Sequence, residues 1–370
     1  MFESFQQGPP DPMFFLKKAA DQDPSPEKTD LGVGIYRNES GHYSELQAVA
    51  QYELTTGNER FLNHAAHLMF GKESQRLKSG HVASVQTISG TGANHIAALA
   101  LSQSISPRPQ VYLGTPTWGN YKPIFELVGI EVIEYAYLDS KTRRIDFDSI
   151  LSAANSAPSR SVFILQACCH NPTGADLTKE QWQKLALVMK QHDHFAFFDI
   201  AYQGLGNGIV EDVYAIRLFA DLGFEMFVCQ SFSKNFALYG ERCGVLHAVC
   251  PDTETAANVH DRLRCLIRWE FSSSPAYGSR LKVDCSRKSY PTVELLQYLI
   301  TTCRYLNLTP QQCQSLVEDH HIYLPPNGRI NISGLNQSSI ATVAKILDHV
   351  VRLGFKKEAQ PSVFVEAHKL

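Results

Sequence analysis

The sequence has no apolar run of membrane-spanning length, no long basic block, and no C-x-x-C pair among its 9 cysteines. The first absence argues against a membrane protein, because a crossing helix needs about 20 consecutive apolar residues. The second argues against nucleic acid as a partner: 34 basic residues face 37 acidic ones, with no basic stripe to meet a phosphate backbone. The third, with an odd cysteine count and no ladder of spacings, points to reduced thiols in an intracellular protein rather than a disulfide scaffold or a zinc site. The opening Met1-Phe-Glu-Ser-Phe-Gln-Gln-Gly-Pro-Pro10 has the form of neither a signal peptide nor a transit peptide, so a cytoplasmic protein is expected. The ending Ala367-His-Lys-Leu370 is one substitution from a peroxisomal S-K-L address, an alternative location. Nucleotide-binding loops are also missing. The small-residue loop Ser89-Gly-Thr-Gly-Ala93 has neither the P-loop lysine nor the spacing of G-x-G-x-x-G.

What is present is a chain of 370 residues, long enough for a large core and two domains. Short apolar runs alternate with helical patterns through its middle: Val111–Thr115, Val132–Leu138, Ser161–Ala167, Phe195–Phe198, Met226–Cys229 and Gly244–Val249, with helices such as Glu59–Phe70, Lys179–Lys190 and Val213–Leu222. Such a pattern predicts an α/β fold whose mainly parallel sheet is covered by helices on both faces. Ligands bind such sheets at the carboxyl ends of the strands. Here those ends carry Trp118, Asn171, Asp199 with Tyr202, and Lys234. Outside this region the sequence predicts helices at Met13–Ala20, Glu45–Thr55, Pro310–Val317 and Ser338–Leu353, and a strand or loop at Leu31–Arg37. Within residues 281–310, Val293–Cys303 carries apolar residues at helix and strand spacing alike.

Lys234 follows a buried strand, with Ser231 and Ser233 before it and Arg242 eight residues on. A lysine withdrawn from strong solvation near another cation has a lowered pKa and can form a Schiff base. Hydroxyls and a guanidinium beside it suit a phosphate. Together they meet the requirements of a pyridoxal phosphate pocket. The remaining requirements find candidates too. Asp199 can keep the ring nitrogen protonated, Tyr202 and Asn171 can hold the ring oxygen, and Trp118 can stack on the ring. Ser89, Gly90 and Thr91 open a helix, where free N–H groups favour an anion. Each has an ordinary structural alternative: a helix cap for Asp199 and for the Ser89 loop, a turn for Asn171-Pro172, core packing for Trp118. Jointly those alternatives need too many coincidences.

The chain resembles the class I aspartate aminotransferase family, fold-type I enzymes that use pyridoxal 5'-phosphate. The resemblance rests on Asp30-Leu-Gly-Val-Gly-Ile-Tyr-Arg37, Ser89-Gly-Thr-Gly-Ala93, Pro116-Thr-Trp118, His170-Asn-Pro-Thr-Gly174, Phe198-Asp-Ile-Ala-Tyr-Gln-Gly204, Ser231-Phe-Ser-Lys-Asn-Phe236 and Gly328-Arg-Ile-Asn331, in the family's order. It implies that Lys234 is the Schiff-base lysine and that Asp199 partners the pyridine nitrogen. It further implies Gly34, Asn171 and Arg329 around the substrate's α-carboxylate, and a homodimer with its sites at the subunit boundary. Arg268 is expected to read a second, distal carboxylate, a task suited to a planar bidentate fork. The implied reaction is amino-group exchange between L-aspartate and 2-oxoglutarate, giving oxaloacetate and L-glutamate. A shifted amino-acid substrate and a catalytically impaired cofactor-binding relative are the alternatives.

Two departures stand out. Between Tyr52 and Phe61 the chain lacks a segment that in the family carries a tyrosine reaching the cofactor phosphate across the dimer. Between Arg280 and Leu306 it is also short of the family. The expected organisation is an N-terminal arm with part of the small domain over 1–43, a large cofactor-binding domain over 44–285, a shortened small domain over 286–356, and a tail over 357–370.

Overall fold

The computed structural model describes residues 16, 19–20, 23–25, 28–30, 54–285, 303–305, 308–326, 328–331 and 339–358. The chain divides into two compact units, one comprising Glu45–Thr302 and the other Met1–Ser44 with Cys303–Leu370.

The larger unit is built on a seven-stranded sheet. Its strands are β1 (Val82–Ile88), β2 (Val111–Thr115), β3 (Val132–Ala136), β4 (Val162–Gln166), β5 (Phe195–Ile200), β6 (Met226–Ser231) and β7 (Cys243–Val249). Their spatial order is β1-β7-β6-β5-β4-β2-β3. All neighbouring pairs run parallel except those made by β7, which is antiparallel to both β1 and β6. The central strands read as unbroken apolar runs because both faces are covered. Phe197 and Phe198 illustrate this: neighbours in sequence, both fully buried, they enter different core clusters on opposite faces.

One face is covered by α1 (Glu59–Phe70), α4 (Phe147–Ser156), α5 (Lys179–Gln191) and α6 (Tyr214–Asp221). The other is covered by α2 (Ser89–Ser104), α3 (Tyr121–Leu127) and α7 (Thr253–Glu270), with α8 (Ala276–Cys285) following. Local chemistry sets the ends. Asn58 caps α1 by accepting from Phe61 N, and Gly71 closes it with φ at 85°. Thr178 and Gln181 form a reciprocal capping box on α5.

In the smaller unit, α9 (Pro310–His320) starts with a Thr309/Gln312 capping box and proline in its first turn. It packs with α10 (Ile340–Glu358) around Leu316, Ile322, Leu324, Val343 and Val350. Thr29–Asp30 pairs parallel with Ile322–Tyr323, and Arg329–Asn331 pairs antiparallel with Cys303–Tyr305.

Several boundaries differ from expectation. The third strand stops at Ala136, and Leu138 instead bridges Ile145 in a turn. The last helix continues past Gly354 to Glu358, because one interior glycine costs a helix only about 1 kcal/mol. Thr55 and Thr56 form a turn rather than a helix end, since Gly57 that follows adopts φ at 99°. Residues 45–53 of that expected helix, the Leu31–Arg37 segment and residues 293–302 lie outside the described residues.

Candidate active site

Strands β2, β4, β5 and β6 end at one edge of the sheet. Register pairs Gln166 with Asp199, and Asp199 with Cys229, so the carboxyl ends are level. Trp118, Asn171, Asp199 with Tyr202, and Lys234 therefore leave the sheet along one rim.

The phosphate candidates come together. Ser89 is fully buried, with φ at 61°, and its N–H donates to the Arg242 carbonyl at 2.8 Å. Arg242 Nη2 donates to Ser89 Oγ, while Nη1 donates to the Tyr239 carbonyl at 2.6 Å. Gly90 rests against Ser231: a Cβ there would sit 2.7 Å from Ser231 Cβ, so no larger residue fits without displacement. Thr91 follows, exposed, in the first turn of the 16-residue α2. Amides of that turn have no partner within the helix and carry the positive end of its dipole. Burial lowers the pKa of Arg242, a cost that an anion beside it would offset.

The ring candidates form a second group. Asp199 sits in a deep recess, only partly open to solvent, and burial raises its pKa to about 6. Hydrogen bonds from Tyr121 and Asn94 act in the opposite direction. Tyr121 Oη donates to Asp199 Oδ2 at 2.5 Å, and its ring meets Trp118 edge to face at 5.1 Å. Tyr202 is buried in the turn after β5. Asn171 is fixed through its backbone: its N–H donates to Gln166 Oε1 at 2.7 Å, and its carbonyl accepts from Gln166 Nε2 at 3.1 Å. Lys234 is half-buried, with Nζ 5.1 Å from the Tyr239 ring centroid.

The other candidates lie on other elements. Arg268 is exposed in the last turn of α7, where Nη1 donates to Ser272 Oγ at 2.7 Å. Arg329 lies on its short strand in the smaller unit, and Gly34 is outside the described residues. Tyr121, Asn94 and Asn235 join the candidates only in the structure. Asn94 is one turn into α2 and donates to the Gly90 carbonyl at 2.8 Å. Asn235 anchors the lysine loop by donating to the Gln203 carbonyl at 3.2 Å. The spacing Trp118-x-x-Tyr121, and an asparagine just before the apolar stretch Ile96–Leu101 of α2, were the available signals.

The residues suit pyridoxal phosphate. Asn171 Oδ1 and Ser233 Oγ are buried without a protein partner, and such atoms need one from a bound group or water. Both stand at positions expected to face that cofactor, beside a recessed carboxylate and an anion cradle.

Residues 26–283 match the family model described as aminotransferase class I and II. The chain belongs to that family. It is 49% identical to the aminotransferase tasG of Hapsidospora irregularis over 356 residues, 96% of this chain and 98% of that one. It is 36% identical to the mitochondrial aspartate aminotransferase of Dictyostelium discoideum over 395 residues, covering 94% and 92% of the two chains. Its structure superposes on the aromatic-amino-acid aminotransferase of Burkholderia pseudomallei, covalently bound to pyridoxal phosphate, with a TM-score of 0.88 at 31% identity, over 95% of this chain and 99% of that one. This chain is a pyridoxal phosphate-dependent aminotransferase of the fold-type I architecture. An alignment of 395 residues exceeds the 370 of this aminotransferase, so it opens gaps in it. The alignment to tasG needs no such length.

Proposed function

We propose that this aminotransferase exchanges the amino group between L-aspartate and 2-oxoglutarate, yielding oxaloacetate and L-glutamate. The observation that supports this reading is the rim of β2, β4, β5 and β6, whose carboxyl ends lead into the segments that carry Trp118, Asn171, the recessed Asp199 and Lys234. The choice of aspartate rests on the arginines Arg268 and Arg329 and on the similarity to aspartate aminotransferases.

Ser89, Gly90, Thr91, Ser231, Ser233 and Arg242 hold the cofactor's phosphate. Tyr202 and Asn171 would donate to its ring oxygen, Trp118 would stack on the ring, and Asp199 would hold the proton on its ring nitrogen. When bound, pyridoxal phosphate supplies an aldehyde that captures the amino group and a ring that draws electrons from the α-carbon. Lys234 would hold that aldehyde and would serve as the base that moves the α-carbon proton. Gly34, Asn171 and Arg329 bind the α-carboxylate, and Arg268 reads the distal carboxylate. Arg268 is exposed in the single chain, as expected of a residue that serves a site at a subunit boundary, and the working form is a cytoplasmic homodimer.

Similarity to tasG and to an aromatic-amino-acid enzyme favours a second reading, the same chemistry on a different amino acid. A panel of amino donors with 2-oxoglutarate, read by glutamate formation, separates the two. Aspartate is expected to lead. An aromatic donor turned over more efficiently than aspartate overturns the aspartate reading and keeps the transaminase.

A further inference from the structure

Tyr121 is fully buried at the start of α3, where its hydroxyl cannot turn to water. It donates to Asp199 Oδ2 at 2.5 Å, across 78 residues of sequence. Burial, then the neighbouring Asp199, pushes the phenol well above its usual range, so the proton stays on Tyr121 and the carboxylate is the acceptor. Of the influences that favour ionised Asp199, this hydrogen bond is the foremost, followed by Asn94 and the Ile200 backbone. The other titratable groups beside the pair are Cys229 on β6, which burial keeps as a thiol, and Tyr202 after β5. The Tyr121 ring also stands edge-on to Trp118, interplanar angle 87°. One side chain thus braces both the stacking aromatic and the carboxylate. An aromatic that served only as core filler would gain nothing from placing its hydroxyl on that one oxygen.

We infer that Tyr121 is a positioning residue for Asp199: by occupying Oδ2 it orients the carboxylate, holds it ionised, and leaves Oδ1 for the protonated ring nitrogen of the cofactor. This rests on Asp199 being the ring-nitrogen partner.

The test follows the Asp199 carboxyl by carbon NMR in aspartate-labelled, cofactor-free protein, with Asp199→Asn to assign the signal. The unaltered protein should titrate near pH 6. In Tyr121→Phe the midpoint should rise by about one to two pH units, the equivalent of one lost hydrogen bond to a charged group. With cofactor restored, the same variant should lose kcat while KM for the amino donor stays within about twofold. A midpoint unmoved in folded Tyr121→Phe overturns the inference. A second measurement needs no variant: a low-field hydroxyl proton in the unaltered protein should shift with the same midpoint as the Asp199 carboxyl, and independent midpoints overturn the inference. Cofactor uptake by the unaltered protein, read from its visible absorbance, reports separately on the site itself, so the two failures are distinguishable.

Discussion

Arg242 donates to the hydroxyl of Ser89 across a sequence separation of 153 residues, joining the loop behind Lys234 to the first turn of α2. The bond closes one side of the proposed phosphate cradle and holds a desolvated guanidinium in place. Arg242→Gln removes a charge-assisted contact worth about 1.5–3 kcal/mol, so affinity for pyridoxal phosphate should fall by about 10- to 150-fold. Equilibrium dialysis of the cofactor measures this. Unchanged affinity places the phosphate elsewhere.

The short connection before α1 is fitted to Gln86. A Cβ at Gly57 would lie 2.2 Å from Gln86 Cβ, while Asn58 N donates to Gln86 Oε1 at 3.1 Å and Gln86 N donates to the Thr56 carbonyl at 2.8 Å. Gln86 also donates to the Pro275 carbonyl at 2.9 Å. Gly57→Ala forces both this overlap and φ near 99°, and should destabilise the protein by at least about 1–2 kcal/mol in urea unfolding. By the resemblance to the aspartate aminotransferases, this connection stands where a phosphate-binding tyrosine would be expected. Cofactor should accordingly leak out on long dialysis, and melting temperature should climb as cofactor is added. Retention through exhaustive dialysis would mean that another group has taken over that contact.

Asp199 gives the cofactor-free protein a distinctive pH dependence. Its folded pKa, about 6, lies above the ordinary carboxyl value of 3.8, so between these the folded state binds more protons than the unfolded one. Its contribution therefore weakens stability as pH rises from about 4 to 6, by about 3 kcal/mol in total. His170 acts oppositely: burial lowers its pKa to about 3, so it costs stability as pH falls below 6.5. Comparison with Asp199→Asn isolates the first effect. The variant's melting temperature relative to the parent should increase from pH 4 to pH 7, and a flat difference contradicts the assigned burial.

Much of this was legible in sequence, for physical reasons. Strands β4, β5 and β6 are apolar on both faces and punctuated by polar residues at their ends, so the strands, and the places of Asn171, Asp199 and Lys234 after them, could be read from the sequence. Thr309 as N-cap and Pro310 in the first turn announced the start of α9, and the structure adds Gln312 as the other half of a capping box. Tyr121 did not, because an aromatic three residues after Trp118 reads as core, and its partner lies on a distant strand. Arg268 shows the converse: its residue type suggested a binding role, while in the single chain its observed partner is Ser272.

Arg268→Leu tests that role. Stranding a substrate carboxylate costs about 2–5 kcal/mol, so kcat/KM for aspartate should drop by about 30- to several-thousand-fold. Alanine and phenylalanine, without that group, should be spared. Equal losses on all donors show that Arg268 does not read the side chain.

Lys234 as the anchor of the cofactor is tested most directly by borohydride reduction of the cofactor-loaded protein, followed by peptide mapping. The pyridoxyl phosphate label should appear on the peptide containing Lys234, and Lys234→Ala should lose transamination by about 100- to 10,000-fold or more. A label fixed at another lysine, or an unchanged rate in Lys234→Ala, would contradict the account.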